Sequence, residues 1–288
     1  MDKIIYLDNA ATTKVDHEVL EAMLPYFEQV YGNASSIYRF AGQAKKAVDD
    51  AREVVADYLG AKPKEIYFTA GGSESDNWAL KATAYAKKDK GRHIITSKIE
   101  HHAILHTCQY LEKQGFEVTY LDVDENGVVK LDELKNAIRE DTILISIMFA
   151  NNEIGTIEPI KEIGKIAHEK GIIFHTDAVQ AYGHVPINVD ELGIDILSAS
   201  GHKINGPKGV GIMYLRDTVK IGSFIHGGAQ ERGRRIVHRH QKGAEIIRGQ
   251  LFARGNITIL QVGHHVHQLV DVLDRLSEVF DTIVLDAV

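Results

Sequence analysis

Ser198-Ala199-Ser200-Gly201-His202-Lys203-Ile204-Asn205-Gly206-Pro207-Lys208-Gly209-Val210-Gly211 is a polar, glycine-rich stretch between two apolar runs, 194–197 and 212–215. A loop between two such runs puts a lysine at the end of a strand, and its glycines allow close backbone approach. A lysine held there can shed its proton and attack an aldehyde to give a Schiff base. Alone, Lys203 reads as a solvated turn residue, because lysines are seldom buried. The chain upstream changes that reading.

From residue 66 onward, strand and helix patterns alternate. Strands are expected over 66–69, 93–96, 118–121, 142–148 and 172–175, and helices over 74–87, 102–114, 131–138 and 160–169. Ahead of them, Val19, Leu20, Met23, Leu24 and Phe27 give helical spacing over 17–30. A second helix runs through Ala44, Val48, Ala51, Val55 and Leu59 and closes at Gly60. This alternation predicts an α/β fold, a mainly parallel sheet sandwiched by helices. Right-handed crossovers then bring loops such as 70–73 and 175–180 to the carboxyl edge, where ligands bind.

Several of those loops carry chemistry. Thr69-Ala70-Gly71-Gly72-Ser73-Glu74-Ser75 leads from a strand into a helix, whose first N–H groups favour a phosphate. The same stretch also reads as a capped turn with Ser73 as N-cap, and the dinucleotide fingerprint is absent. His101, after the strand over 93–96, is placed to stack on a ring or move a proton. Asn151 and Asn152 follow the strand over 142–148, either as ligands or as turn formers. Asp177 follows the next strand, where a carboxylate would keep a pyridine nitrogen protonated, and Gln180 is within reach of a ring hydroxyl. Together these supply a phosphate cup, a stacking histidine, an aspartate for a ring nitrogen and a Schiff-base lysine. That inventory is what pyridoxal phosphate requires.

Composition narrows the classes. The 288 residues are 44% hydrophobic and 25% charged, ordinary for a globular protein, and the net charge of −7 gives no support for nucleic-acid or anionic-membrane partners. One cysteine, Cys108, excludes an intrachain disulfide and suggests a reducing compartment. With no signal-peptide pattern and no bilayer-length apolar run, a cytoplasmic location is expected. Cys108 shares an apolar helix face with Ile104 and Leu111 and reads as a core residue. His102 and His106 lie one turn apart without a carboxylate or thiolate to complete a metal set, so no metal is expected.

The motifs occur in one order: Leu7-Asp8-Asn9-Ala10-Ala11-Thr12-Thr13, the 69–75 loop, Glu100-His101-His102, Asn151-Asn152-Glu153-Ile154-Gly155-Thr156, His175-Thr176-Asp177-Ala178-Val179-Gln180 and Ser200-Gly201-His202-Lys203. In them the chain resembles the cysteine desulfurases of the NifS/IscS type, class-V aminotransferase-like enzymes of the fold type I pyridoxal-phosphate group. The resemblance covers residues 1–235. It implies a large cofactor-binding domain over 1–235, with 1–15 as its N-terminal segment. It implies that Lys203 carries the cofactor, that Gly72, Ser73, Ser200 and His202 hold its phosphate, and that His101 stacks on the ring and shuttles protons. Asp177 would pair with the ring nitrogen and Gln180 with the phenolic oxygen, with Asn152 beside ring and substrate. It also implies a homodimer moving sulfur from L-cysteine to an enzyme cysteine, with release of alanine, to supply iron–sulfur scaffold or other sulfur-acceptor proteins and thiolated tRNA.

After Gly227-Gly228-Ala229-Gln230-Glu231-Arg232-Gly233-Arg234-Arg235 the pattern of that family gives way to Ile236-Val237-His238-Arg239-His240-Gln241-Lys242. Residues 236–288 read as an atypical C-terminal segment, with a strand over 257–262 and an amphipathic helix through Leu269, Val270, Leu273, Leu276, Val279 and Phe280. The small C-terminal domain is expected to be truncated or replaced, without its persulfide-forming cysteine loop and substrate arginine. Desulfurase activity is accordingly expected to be impaired. The alternatives are a cofactor-binding scaffold remnant and a lyase that needs no enzyme thiol.

Overall fold

The computed structural model describes residues 5–225 and Glu231, all within the first of the chain's two units, Met1–Val237. The strand and helix expected beyond residue 256, and the segment from 236, lie outside the described residues.

The helix expected over 17–30 is two: α1, His17–Met23, and α2, Pro25–Glu28. Pro25 has no N–H to continue α1, but its fixed φ suits the first position of the next helix, so the chain breaks there. Helix α3, Arg39–Leu59, ends at Gly60, whose φ of 65° is the left-handed conformation of a helix C-cap.

Seven strands follow: β1 Ile66–Thr69, β2 His93–Ser97, β3 Glu117–Leu121, β4 Thr142–Ser146, β5 Ile173–Asp177, β6 Ile196–Ser200 and β7 Gly211–Leu215. They form one sheet in the order β1-β7-β6-β5-β4-β2-β3. β7 alone runs antiparallel to both of its neighbours, and every other pairing is parallel. Residues 147 and 148, expected as strand, lie beyond β4, although Ile147 and Phe149 still donate to the carbonyls of His175 and Asp177. β5 in turn runs two residues further than expected, so Asp177 is held at a strand terminus.

Helices α4 Gly72–Lys87 and α5 His102–Lys113 cover one face, while α3, α6 Leu131–Ala137 and α7 Ile160–Glu169 cover the other. The two-residue alternation of strands divides the core accordingly. Ile196, Met213 and Leu215 join Trp78 and Leu80 on the α4 side, while Leu197 and Tyr214 join Leu59 and Ile163 on the α3 side. Each such buried side chain contributes on the order of 2 kcal/mol by area removed from water. This packing fixes one sheet edge, where β1, β2, β4, β5 and β6 all end.

Candidate active site

At the end of β1 the chain turns through Ala70 and Gly71 directly into α4. The N-cap is Gly71, not Ser73; Ser73 sits in the first turn, so no side chain caps these N–H groups. Gly71 has φ 152°, which favours glycine. A Cβ on Gly211 would come within 2.5 Å of Gly71 Cα, and one on Gly72 within 2.5 Å of Val179 Cγ2. Loop and strand therefore meet backbone to backbone. The cavity they border is lined by Gly71, Gly72, Ser73, Ser200, His202 and Lys208.

Next to it lies a cavity of about 330 Å³ lined by His101, Asn152, Asp177, Gln180 and Lys203, with Met148, Ala150 and Val179 between them. Ala11 lines both cavities. Lys203 follows β6 in a single 3-10 turn, Gly201–Lys203. Its Nζ donates to the carbonyls of Ala10 and Ala11, the latter at 2.9 Å, and burial lowers its pKa, favouring the neutral amine. His184 Nε2 lies 3.2 Å from the Lys203 carbonyl. Asp177 accepts Val179 N–H at 2.9 Å; burial raises its pKa, against the pull of His101 and Lys203. His101 caps α5 by accepting Ala103 N–H on Nδ1 at 3.1 Å, which leaves Nε2 as the nitrogen free to hold a proton. The two amides divide. Asn151 is a turn former, bonding Ile99 O and the N–H groups of Glu153 and Ile154, and Asn152 lines the cavity.

The missing wall is the N-terminal segment. Thr13 N–H donates to His202 O at 2.8 Å, Asn205 N–H donates to Thr13 Oγ1 at 2.7 Å, and Thr12 Oγ1 lies 3.0 Å from His202 Nδ1. This clasp lays Asp8, Ala10 and Ala11 along the cavity, where Gln180 also donates to Ala10 O at 2.8 Å. The 7–13 motif was visible in the sequence, but nothing in its spacing says which loop it would meet.

Sequence reasoning also missed the polar layer behind Asp177. His175, Ser146 and Ser198 are wholly buried, and Asp76 on α4 and Glu100 ahead of His101 are buried with them. Burial pushes Glu100 up to about 8, although Ser97 Oγ and Met148 N–H both donate to it. A signal for Asp76 existed: it falls in register with Ala79, Leu80 and Thr83 on the apolar stripe of α4. Cys108 is fully buried beside Ile104 and Leu111, and burial pushes its thiol up, away from the thiolate. The rings of His102 and His106 lie 5.3 Å apart on the surface of α5, outside the ring cavity.

These residues fit pyridoxal phosphate. The helix N-terminus has no side-chain cap and is approached by glycine backbone, which suits a phosphate, and the adjoining cavity has a buried carboxylate and a lysine of lowered basicity on its walls.

The family model for aminotransferase class-V matches residues 5–268, running past the Arg235 at which the quoted motifs end. A cysteine desulfurase IscS of Methanosarcina thermophila is 65% identical over 234 residues, covering 81% of this chain and 58% of the relative. One from Dictyoglomus turgidum is 51% identical, covering 97% of this chain and 72% of the relative. Among solved structures, "SspA in complex with cysteine" superposes with a TM-score of 0.79 at 46% identity, covering 81% of this chain and 68% of that one. A "NIFS-like protein" gives 0.78 at 48%, covering 80% and 63%. These neighbours share the mixed, mostly parallel seven-stranded sheet flanked by helices. The chain spans 58% of the length of the Methanosarcina relative.

Proposed function

The chain belongs to the cysteine desulfurase family of class-V aminotransferase-like, pyridoxal-phosphate-dependent enzymes, and from that premise we propose that its site binds the cofactor on Lys203 and acts on L-cysteine. The observation that carries this is the convergence of Lys203, Asp177, His101, Asn152 and Gln180 on one cavity, adjoining a glycine-built cup at a helix N-terminus. Bound pyridoxal phosphate supplies an electron sink for negative charge at the substrate α-carbon.

The chain's own residues do the rest. Burial favours the neutral, nucleophilic amine of Lys203, and the carbonyls of Ala10 and Ala11 hold it at the rim. Gly72, Ser73, Ser200 and His202 surround the phosphate. Burial lowers the pKa of His202, and a ring N–H of it can donate to the phosphate. Asp177 presents a negative charge to the ring nitrogen, and Gln180 can donate to the phenolic oxygen. His101, its Nδ1 occupied, moves a proton at Nε2. Asn152 orients the substrate.

The sulfur step needs a thiolate that accepts sulfur as the Cβ–S bond of L-cysteine breaks and alanine leaves. Cys108 is the one cysteine of these 288 residues, and it is buried with a raised pKa. We therefore propose that this chain by itself binds the cofactor and substrate without forming a persulfide. Homodimerisation and delivery to iron–sulfur or other sulfur acceptors belong to the same proposal, by likeness to the family.

The test is borohydride reduction of the purified chain with pyridoxal phosphate, then peptide mapping. The label should sit on Lys203, vanish in Lys203→Ala and persist in Lys208→Ala. Label retained in Lys203→Ala refutes the assignment. With L-cysteine and a reductant, sulfide release that is lost in Cys108→Ser would overturn the thiol argument.

A further inference from the structure

The sheet face beneath α4 is more polar than a core needs. His175 and Asp177 are two apart on β5 and so share a face. The parallel register sets Ser146 beside His175 and Ser198 beside Asp177, and α4 lays Asp76 over them. Ser146 Oγ lies 2.9 Å from His175 Nδ1, and Ser198 Oγ lies 3.0 Å from His175 Nε2. His175 is wholly buried, which pushes its pKa down to about 3, so it is a neutral ring with one donor and one acceptor. Asp76 is 1% exposed, and its Oδ1, 3.7 Å from His175 Nε2, has no hydrogen-bond partner among the described residues.

A charged, buried oxygen without a donor is far costlier than a neutral carboxylic acid. Asp177 is better served: it accepts a backbone N–H and is drawn toward ionisation by His101 and Lys203. The charged and titratable groups facing Asp76 are Asp177 and His175 from β5 and Glu100 from the turn before α5. Burial, Asp177 and Glu100 all favour its protonated form, and only the Ser198 hydroxyl from β6 opposes. We propose that Asp76 is a positioning residue for Asp177, holding a proton as a neutral acid so that, of these two buried carboxyl groups, Asp177 is the one that carries a negative charge. This rests on the cofactor reading above.

Its sign follows from linkage. A carboxyl whose folded pKa is raised stabilises the fold most at low pH, and that share is lost as pH climbs through the folded pKa, by about tenfold in the unfolding constant per pH unit. The experiment measures apoprotein stability against pH, from about 5 to 9, for the full chain and its Asp76→Asn variant. The variant should show a shallower alkaline decline, because the amide mimics the neutral acid. Ser198→Ala removes the donor that favours ionisation and should move the decline to higher pH. Equal slopes for Asp76→Asn and the parent chain, or a decline in Ser198→Ala unmoved or at lower pH, would overturn the proposal.

In a second arm, pyridoxal phosphate is titrated into each apoprotein at neutral pH. Asp76→Asn should bind within about threefold of the parent chain and Asp177→Asn at least about tenfold more weakly, the reverse order overturning the assignment of charge. If the parent chain takes up no pyridoxal phosphate, the cofactor reading fails and the positioning role fails with it. The stability arm still reports which group holds the proton.

Discussion

Gly211→Ala tests the architecture of the phosphate cup from behind. The added Cβ would lie 2.5 Å from Gly71 Cα and 2.7 Å from Ala199 O. Both obstacles are backbone, so no rotamer change relieves them. β7 and the 70–71 turn must part by about 1 Å, and overpacking of this kind costs about 1–3 kcal/mol. For a domain of this size each kcal/mol moves Tm by about 2–4 °C, so the apoprotein should lose about 4–8 °C at the middle of that range. The same displacement carries Gly72 and Ser73 away from a phosphate, stretching hydrogen bonds to a charged group worth about 1.5–3 kcal/mol each. Loss of one such bond weakens pyridoxal phosphate binding at least about tenfold. Thermal unfolding of the apoprotein and a titration with pyridoxal phosphate measure the two effects. Gly42→Ala, on α3 with nothing within 4 Å of its Cβ, is the control and should gain about 1 kcal/mol from helix propensity. A Gly211→Ala chain with parental Tm and affinity would refute the backbone contact.

Three further outcomes are expected. Glu100, raised to about 8 by burial, contributes stability at low pH that is lost as pH rises through about 8, so Glu100→Gln should flatten that limb and gain on the parent chain above it. Melting curves across that range show it, and parallel curves would count against a buried protonated Glu100. Cys108 should resist an aromatic disulfide reagent in the native chain and react on denaturation; rapid stoichiometric reaction of the native chain would contradict its burial. Glu231→Ala should cost about 2–4 kcal/mol, because it leaves the guanidinium of Arg52 buried without its carboxylate, and a loss under about 1 kcal/mol in chemical denaturation would rule out a buried pair.

The alternation of strands and helices was legible because apolar period and turn residues agree from residue 66 onward, and the lysine, aspartate and histidine of the site each stand next to a strand end in the sequence. Three features were not legible. The break at Pro25 was overridden in the reading by the helical spacing of Val19 to Phe27, although proline chemistry predicts it. The reversal of β7 depends on where the 201–210 loop returns the chain, and local pattern does not carry that. The clasp of Thr12 and Thr13 on His202 and Asn205 joins residues about 190 apart in sequence, a distance no periodicity spans. The last of these puts Ala10 and Ala11 over Lys203, so one cavity wall is invisible until the chain is folded.

The edge of the sheet and its interior use charge for opposite ends. β1 is an edge strand, and its outward Ile66 carbonyl and Phe68 N–H would invite another strand. Arg52 donates to the first at 2.6 Å and Glu231 accepts from the second at 3.0 Å, while their mutual bonds of 2.9 and 3.0 Å close the pair. There, the two charges bond each other and the backbone, and only Arg52 Nε of the pair is left without a partner among the described residues. Beneath α4, Asp76 and Glu100 each keep an oxygen with no hydrogen-bond partner among the described residues, and burial raises the pKa of Asp177. Well-packed hydrophobic residues of the same volume commonly serve a buried layer at least as well. Packing alone therefore does not call for acids in that layer, whereas the proposed pairing of Asp177 with a ring nitrogen would. The neutral isosteres Asp76→Asn and Glu100→Gln separate the two demands, because each keeps shape and removes only the capacity to ionise.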